Sequence, residues 1–148
     1  MASKSGDWYK ALRENDPETY RDLMDEKYAR RVEQLNTDPD KFAQMKFTKQ
    51  RASAKDRSIP WELSQDHVHK IIKETKHCAI SGRPVVLEVN HIDGSSIDRI
   101  DSSKGYTTDN VHVTSQVVNK ARGVMSIADF VKMCQDVVNH QQQIHTQV

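Results

Sequence analysis

Cysteine is nearly absent from this sequence. Its two cysteines, Cys78 and Cys134, are too few for a disulfide framework or a four-cysteine zinc site, and both are read as reduced thiols. With His77 and His140 they form no Cys-x-x-Cys or His-x3-His knuckle, so no structural zinc is expected. Glycine and proline are scarce, at 5 and 4 residues, and aromatic side chains make up 6% of the chain. With 36% hydrophobic and 29% charged residues, this is the composition of a helix-rich globular protein and not of a disordered one. No apolar run approaches the roughly 18 residues of a membrane span, and MASKSGDWYK has no secretory hydrophobic stretch. The expectation is an intracellular protein with no membrane partner. An excess of either charge is missing too: the formal net charge is +1 and the pI is near 7.8. Any surface for a polyanion must therefore come from uneven charge placement. A chain of 148 residues holds one modest domain, or a small domain with a helical extension, and excludes a large two-lobed enzyme.

The first half is patterned as helices. Asp16-Pro17-Glu18 and Asp38-Pro39-Asp40 each put a capping carboxylate before a proline at the first helical position. Tyr20, Leu23, Met24, Tyr28, Val32 and Leu35 follow at spacings of three and four, and Phe42, Met45 and Phe47 continue after the second start, which predicts a helical hairpin. From Lys46 to Arg57 the string KFTKQRASAKDR holds five cations, Lys46, Lys49, Arg51, Lys55 and Arg57, against the single acid Asp56. Phosphate contact and a solvated helix face are both open readings of that excess. Pro60 breaks the helix, and Ser64 caps the next, which runs through Val68, Ile71 and Ile72.

The second half changes period. Pro84–Val89 is rich in β-branched residues and predicts a strand, followed by the turn Asn90-His91-Ile92-Asp93-Gly94. Ser96–Ile100 and Asn110–Thr114 alternate polar and apolar around the loop Ser102–Gly105, which predicts a hairpin. Val117, Val118 and Ala121 then shift to helical spacing up to Gly123. Ser126 caps a last helix whose stripe Ile127, Phe130, Val131, Cys134, Val137 and Val138 is expected to be buried.

A hairpin followed by a helix is the scaffold of the HNH, or His-Me finger, endonucleases, and the wording of this chain resembles a phage- and bacteria-type branch of that family. The resemblance is carried by Cys78-Ala79-Ile80-Ser81-Gly82, by SIDRIDSSKGYTTDNVHV from Ser96 to Val113, and by Val118-Asn119-Lys120. It begins at RASAKDRSIPWELS and covers roughly the last two-thirds of the chain. It implies an α+β fold, with a helical extension over residues 1–57 that includes the basic helix. An HNH-like ββα-metal domain over 58–140 and a flexible, disordered tail over 141–148 complete the expected layout.

Phosphodiester hydrolysis needs a base to activate water and a metal to stabilise charge on the leaving oxygen. Carried over residue by residue, the family pattern makes Asp98 the metal-binding acid and Asn119 the metal ligand on the helix. Asn110 becomes the asparagine that fixes the loop. The implied ion is a single Mg²⁺ or Mn²⁺, which suit carboxylate and amide oxygens. Arg99 stands where many members have the base histidine, and a guanidinium does not give up its proton. A second alignment uses Asn90-His91-Ile92-Asp93-Gly94, with His91 as base, and places an insertion before Asn110. Both alignments keep Asn110 and Asn119. His112 is expected to point to solvent or substrate, and His67 and His69 to lie on the surface.

The resulting expectation is a metal-dependent endonuclease acting on DNA, encoded by a phage or mobile element and working in the host cytoplasm. Lys49, Arg51, Lys55, Lys104, Lys120 and Arg122 are the expected nucleic-acid contacts. The alternative is a protein of the same fold that binds nucleic acid or a protein partner without cleavage. A partner held by the N-terminal helices is a third possibility.

Overall fold

The computed structural model describes residues 5–146. Six helices and one two-stranded sheet follow in the order α1 (Gly6–Asn15), α2 (Pro17–Thr37), α3 (Pro39–Asp56), α4 (Gln65–Glu74), β1 (Ser95–Arg99), β2 (Val111–Ser115), α5 (Gln116–Arg122) and α6 (Ile127–Thr146) among the described residues. Both Asp-Pro starts are helix N-termini. Asp16 accepts from the Thr19 N–H, and Asp38 accepts from the N–H groups of Asp40 and Lys41, with proline at the first position of each helix.

The helices of the first 57 residues differ in how far they enter the core. Phe42, Ala43, Met45 and Ala54 of α3 are buried with Leu63, Val68, Ile72, Ile97 and Val113, so α3 is a wall of the domain, and α2 joins that core through Leu35 near its end. The stripe on α2 is correspondingly open: Leu35 is its buried member, whereas Tyr28 is exposed. Two side chains of α2 still reach the domain. Asn36 Oδ1 accepts from the Val89 N–H at 2.8 Å, and Asn90 Nδ2 donates to the Tyr28 hydroxyl at 2.7 Å.

β1 and β2 pair antiparallel with Asp98 opposite His112 and Ile97 opposite Val113. Because side chains alternate across a strand, Ile97 and Val113 enter the core with α3 and α4, while Ser96, Asp98 and His112 share the other face, where α5 lies. The Pro84–Val89 segment is not a strand. It makes only isolated bridges, His77 with Pro84 and Val86 with Gly94, and it lies as a loop whose Val85, Leu87 and Val89 pack on the core. Partial burial thus arises there without a hydrogen-bonded ladder, to which Pro84 has no N–H to give.

α6 also departs from expectation. Its first turn is anchored by Phe130 against Cys78 and Val118, but Val131, Cys134, Val137 and Val138 are exposed and not a buried stripe. The helix runs on to Thr146, through the residues expected as a flexible tail, and Gln147 and Val148 lie outside the described residues.

The loop between the strands is fastened to the N-terminal half. The Tyr106 N–H donates to Pro60 O and the Glu62 N–H to Tyr106 O, both at 2.9 Å. A Cβ at Gly105 would sit 2.7 Å from Pro60 O, so no side chain fits there. Gly105→Ala is expected to cost about 1–3 kcal/mol, the usual range for overpacking. A urea denaturation curve with an unchanged midpoint would mean that the two segments separate freely.

Candidate nucleic-acid cleft

The hairpin, α5 and the inner face of α3 enclose a cleft with two lobes that share Gln50, Ile97, Asn119 and Lys120. One lobe, of about 290 Å³, is lined by Lys46, Lys49 and Ser96. The other, of about 230 Å³, is lined by Arg57, Asp98, Arg99 and Tyr106. Helical period decides which cations reach it. Lys46, Lys49, Gln50 and Arg57 fall on the face of α3 turned towards the hairpin, whereas Arg51 and Lys55 line a separate groove with Phe47 and Trp61. The basic string is thus divided between two surfaces. Lys104 lines neither lobe; its ammonium lies 3.5 Å from Asp101 at the surface.

Arg99 is braced from two sides. Its guanidinium sits 5.3 Å from the Tyr106 ring centroid, and its Nη1 donates to Lys104 O at 2.7 Å. Tyr106 is held in turn by Gln50 Nε2 at 2.5 Å and Arg57 Nη2 at 3.2 Å, both donating to its hydroxyl. Asn110 ties the loop below: its Oδ1 accepts from the Asp101 N–H at 2.9 Å, and its Nδ2 donates to Asp101 O and Gly105 O at 3.1 and 2.8 Å. These bonds fix the loop that carries Tyr106. Asn110 itself is buried and does not line the cleft.

Arg122 is not available to nucleic acid. It is 1% exposed, and the reason is the company it keeps. Its Nη2 donates to Asp98 Oδ1 at 2.8 Å and to Arg99 O at 2.5 Å, while Nη1 donates to Met125 O at 2.9 Å. Asp98 Oδ2 accepts from His112 Nε2 at 3.0 Å. His112 is therefore turned to the partner opposite it on β1 and not to solvent, a contact readable from the hairpin register alone.

His91 lies in the turn before β1 and does not line either lobe. The Asp93 N–H donates to its Nδ1 at 3.0 Å, which engages the lone pair and leaves the ring proton on Nε2. It is thus set apart from Asp98 and Asn119, which line the lobe beside Arg99.

The donor chemistry at the junction of the lobes suits a hard divalent ion. Asn119 donates through Nδ2 to Ser96 Oγ at 2.7 Å, which orients its amide and leaves Oδ1 for another contact. A carboxylate offers about four lone-pair sites, and Asp98 uses two of them. Metal-binding carboxylates are ordinarily hydrogen-bonded behind the metal, and Mg²⁺ takes one or two protein oxygens with waters and phosphate completing its shell. Asp98 and Asn119 fit that role. Among the described residues no group of three or more His, Cys, Asp or Glu side chains is placed to hold a metal.

Lys46 is the most perturbed cation in the cleft. Burial, with Lys49 adding repulsion, lowers its pKa from 10.5 to about 8. Its proton is therefore held less firmly than an ordinary lysine's, and an anion beside it would strengthen that hold.

No protein-family model matches the sequence, and no curated protein does. Among solved structures the chain resembles the rare-cutting HNH restriction endonuclease PacI, a structure described for an extraordinary mechanism of DNA perturbation. The TM-score is 0.53 at 14% identity, over 70% of this chain and 81% of that one. The likeness shows an HNH-like fold.

Two results are expected. Asp98→Ala should cost about 3–5 kcal/mol in denaturant unfolding, because it leaves Arg122 buried and uncompensated; stability equal to wild type would show that Arg122 finds water. Binding of duplex DNA should weaken as pH rises from about 8 towards 10.5, since the complex must take up the Lys46 proton. Lys46→Arg should flatten that profile, and an equally steep profile in the variant would assign the effect to another group.

Proposed function

We propose that this protein is an HNH-type endonuclease that hydrolyses DNA phosphodiester bonds with Mg²⁺ or Mn²⁺, in a phage or mobile-element setting. One observation carries the reading. On a ββα framework, Lys46, Lys49, Arg57, Arg99 and Lys120 line one cleft whose sole acid, Asp98, is already paired with a buried arginine. In a chain of net charge +1, that concentration of cations fits a phosphate backbone.

Each side chain has a part. Lys46, Lys49 and Lys120 attract the strand, while Arg57 and Arg99, fixed by Tyr106, hold the scissile phosphate with hydrogen-bond donors that need no rearrangement as charge develops. Asp98 and Asn119 would hold the ion, which when bound supplies Lewis acidity and lowers the pKa of water. Asn110 positions the loop. A second reading, nucleic-acid binding without cleavage, is favoured by the want of an imidazole in the cleft lining.

Single-turnover cleavage of duplex and single-stranded DNA and RNA, with Mg²⁺, Mn²⁺, Co²⁺ or Ni²⁺, separates the two. Wild type should cut DNA, and Arg99→Ala should lose about 10²–10³-fold, the worth of one transition-state donor. Asn119→Ala should lose both cleavage and Mn²⁺ binding with little change in melting. Binding without cleavage under every metal would establish the second reading. Lys49→Gln and Lys120→Gln should each lower the salt slope of binding by about 0.9, whereas Arg51→Gln and Lys55→Gln should leave it unchanged if duplex lies in the cleft.

A further inference from the structure

Beyond its first turn, α6 touches little of its own domain. Every residue from 131 to 145 is solvent-exposed, yet the helix is not polar all round: Val131, Val137, Val138 and Ile144 are 44–56% exposed. A segment of this length, about 22 Å at 1.5 Å per residue, is marginal as a lone helix in water. Its apolar side chains call for a partner.

The pattern specifies what kind. Phe130, Cys134, Val137, Gln141 and Ile144 recur at alternating spacings of four and three, the period of a two-helix seam. Phe130 is used to anchor the helix to Cys78 and Val118, so the free seam begins at Cys134. The charges of α6 stand off it and are satisfied within the helix: Lys132 pairs with Asp136 at 2.8 Å, and Ser126 Oγ donates to Asp129 at 2.7 Å. The face therefore neither asks for an oppositely charged partner nor repels its own image. Gln141, the one amide in the seam, carries both donors and an acceptor. Opposite a second Gln141 these satisfy each other; in an antiparallel pairing they would meet apolar side chains.

We propose that the chain self-associates as a parallel, in-register homodimer through α6, with Cys134, Val137, Gln141 and Ile144 each facing its counterpart. The proposal stands apart from the nuclease reading, since neither the seam nor its test involves the cleft. The strip is short beside a standard interface of about 1,200–2,000 Å², so a weak, concentration-dependent association is expected.

Sedimentation equilibrium of the full chain in reducing buffer, from about 1 to 200 µM, should show a monomer–dimer transition. Val137→Asp should abolish it with no loss of thermal stability, because Val137 is exposed in the monomer. Under copper–phenanthroline oxidation wild type should form a covalent dimer through Cys134. Cys134→Ser should remain a dimer in sedimentation yet fail to cross-link, since Cys78 is buried. A monomer throughout this range overturns the proposal, as does a dimer untouched by Val137→Asp. A monomer in which Val137→Asp weakens DNA binding overturns it too, and assigns the face to nucleic acid.

Discussion

Arg122 is the bulkiest fully buried side chain among the described residues, and it is tolerable there because Asp98 and the carbonyls of Arg99 and Met125 receive the donors of its two terminal nitrogens, with Nε left without a partner. The pair does three things at once. It joins the end of α5 to β1, it draws the chain after Gly123 back to the hairpin through Met125, and it removes the negative charge of Asp98 from the balance of the cleft. A buried ion pair contributes little net stability against an apolar replacement of the same shape. Its consequence here is placement: Asn119 and Lys120, three and two residues before Arg122, are presented to the cleft in a fixed orientation.

The opposite wall comes from α3. Its apolar side enters the core through Phe42 and Met45 while Lys46, Lys49 and Arg57 project beside the hairpin. Core packing therefore sets the position of the cations, and the same burial that fixes Lys46 pushes its proton affinity down. The loop carrying Gly105 and Tyr106 closes the arrangement by bonding to Pro60 and Glu62 and by cradling Arg99. Structure and electrostatics cannot be varied separately at such a site.

Much of this was legible in the sequence, for identifiable reasons. The Asp-Pro caps, the alternation around Ile97 and Val113 and the change to helical spacing at Val117 are local signals, and local physics produced those elements. The KGY string was recognisable as a motif, but its cause is a long-range contact between Gly105 and Pro60. What a linear pattern cannot convey is which neighbour a side chain meets. Arg122 looked like one more surface cation beside Lys120 and is buried by its ion pair. Arg51 and Lys55 belong to the same charged string as Lys49 yet turn away from the cleft. Pro84–Val89 has strand composition without a partner strand, and α6 has a buried pattern without a core to bury it.

If the protein acts as proposed, nucleic acid lies in the cleft between α3, the hairpin and α5. Amide chemical-shift mapping of the labelled protein with a short DNA duplex tests it most directly. Perturbations should concentrate at Lys46, Arg57, Arg99, Asn119 and Lys120, with Arg51, Lys55 and His91 unmoved. Shifts gathered around Phe47, Arg51, Lys55 and Trp61, with Arg99 and Asn119 silent, would contradict it.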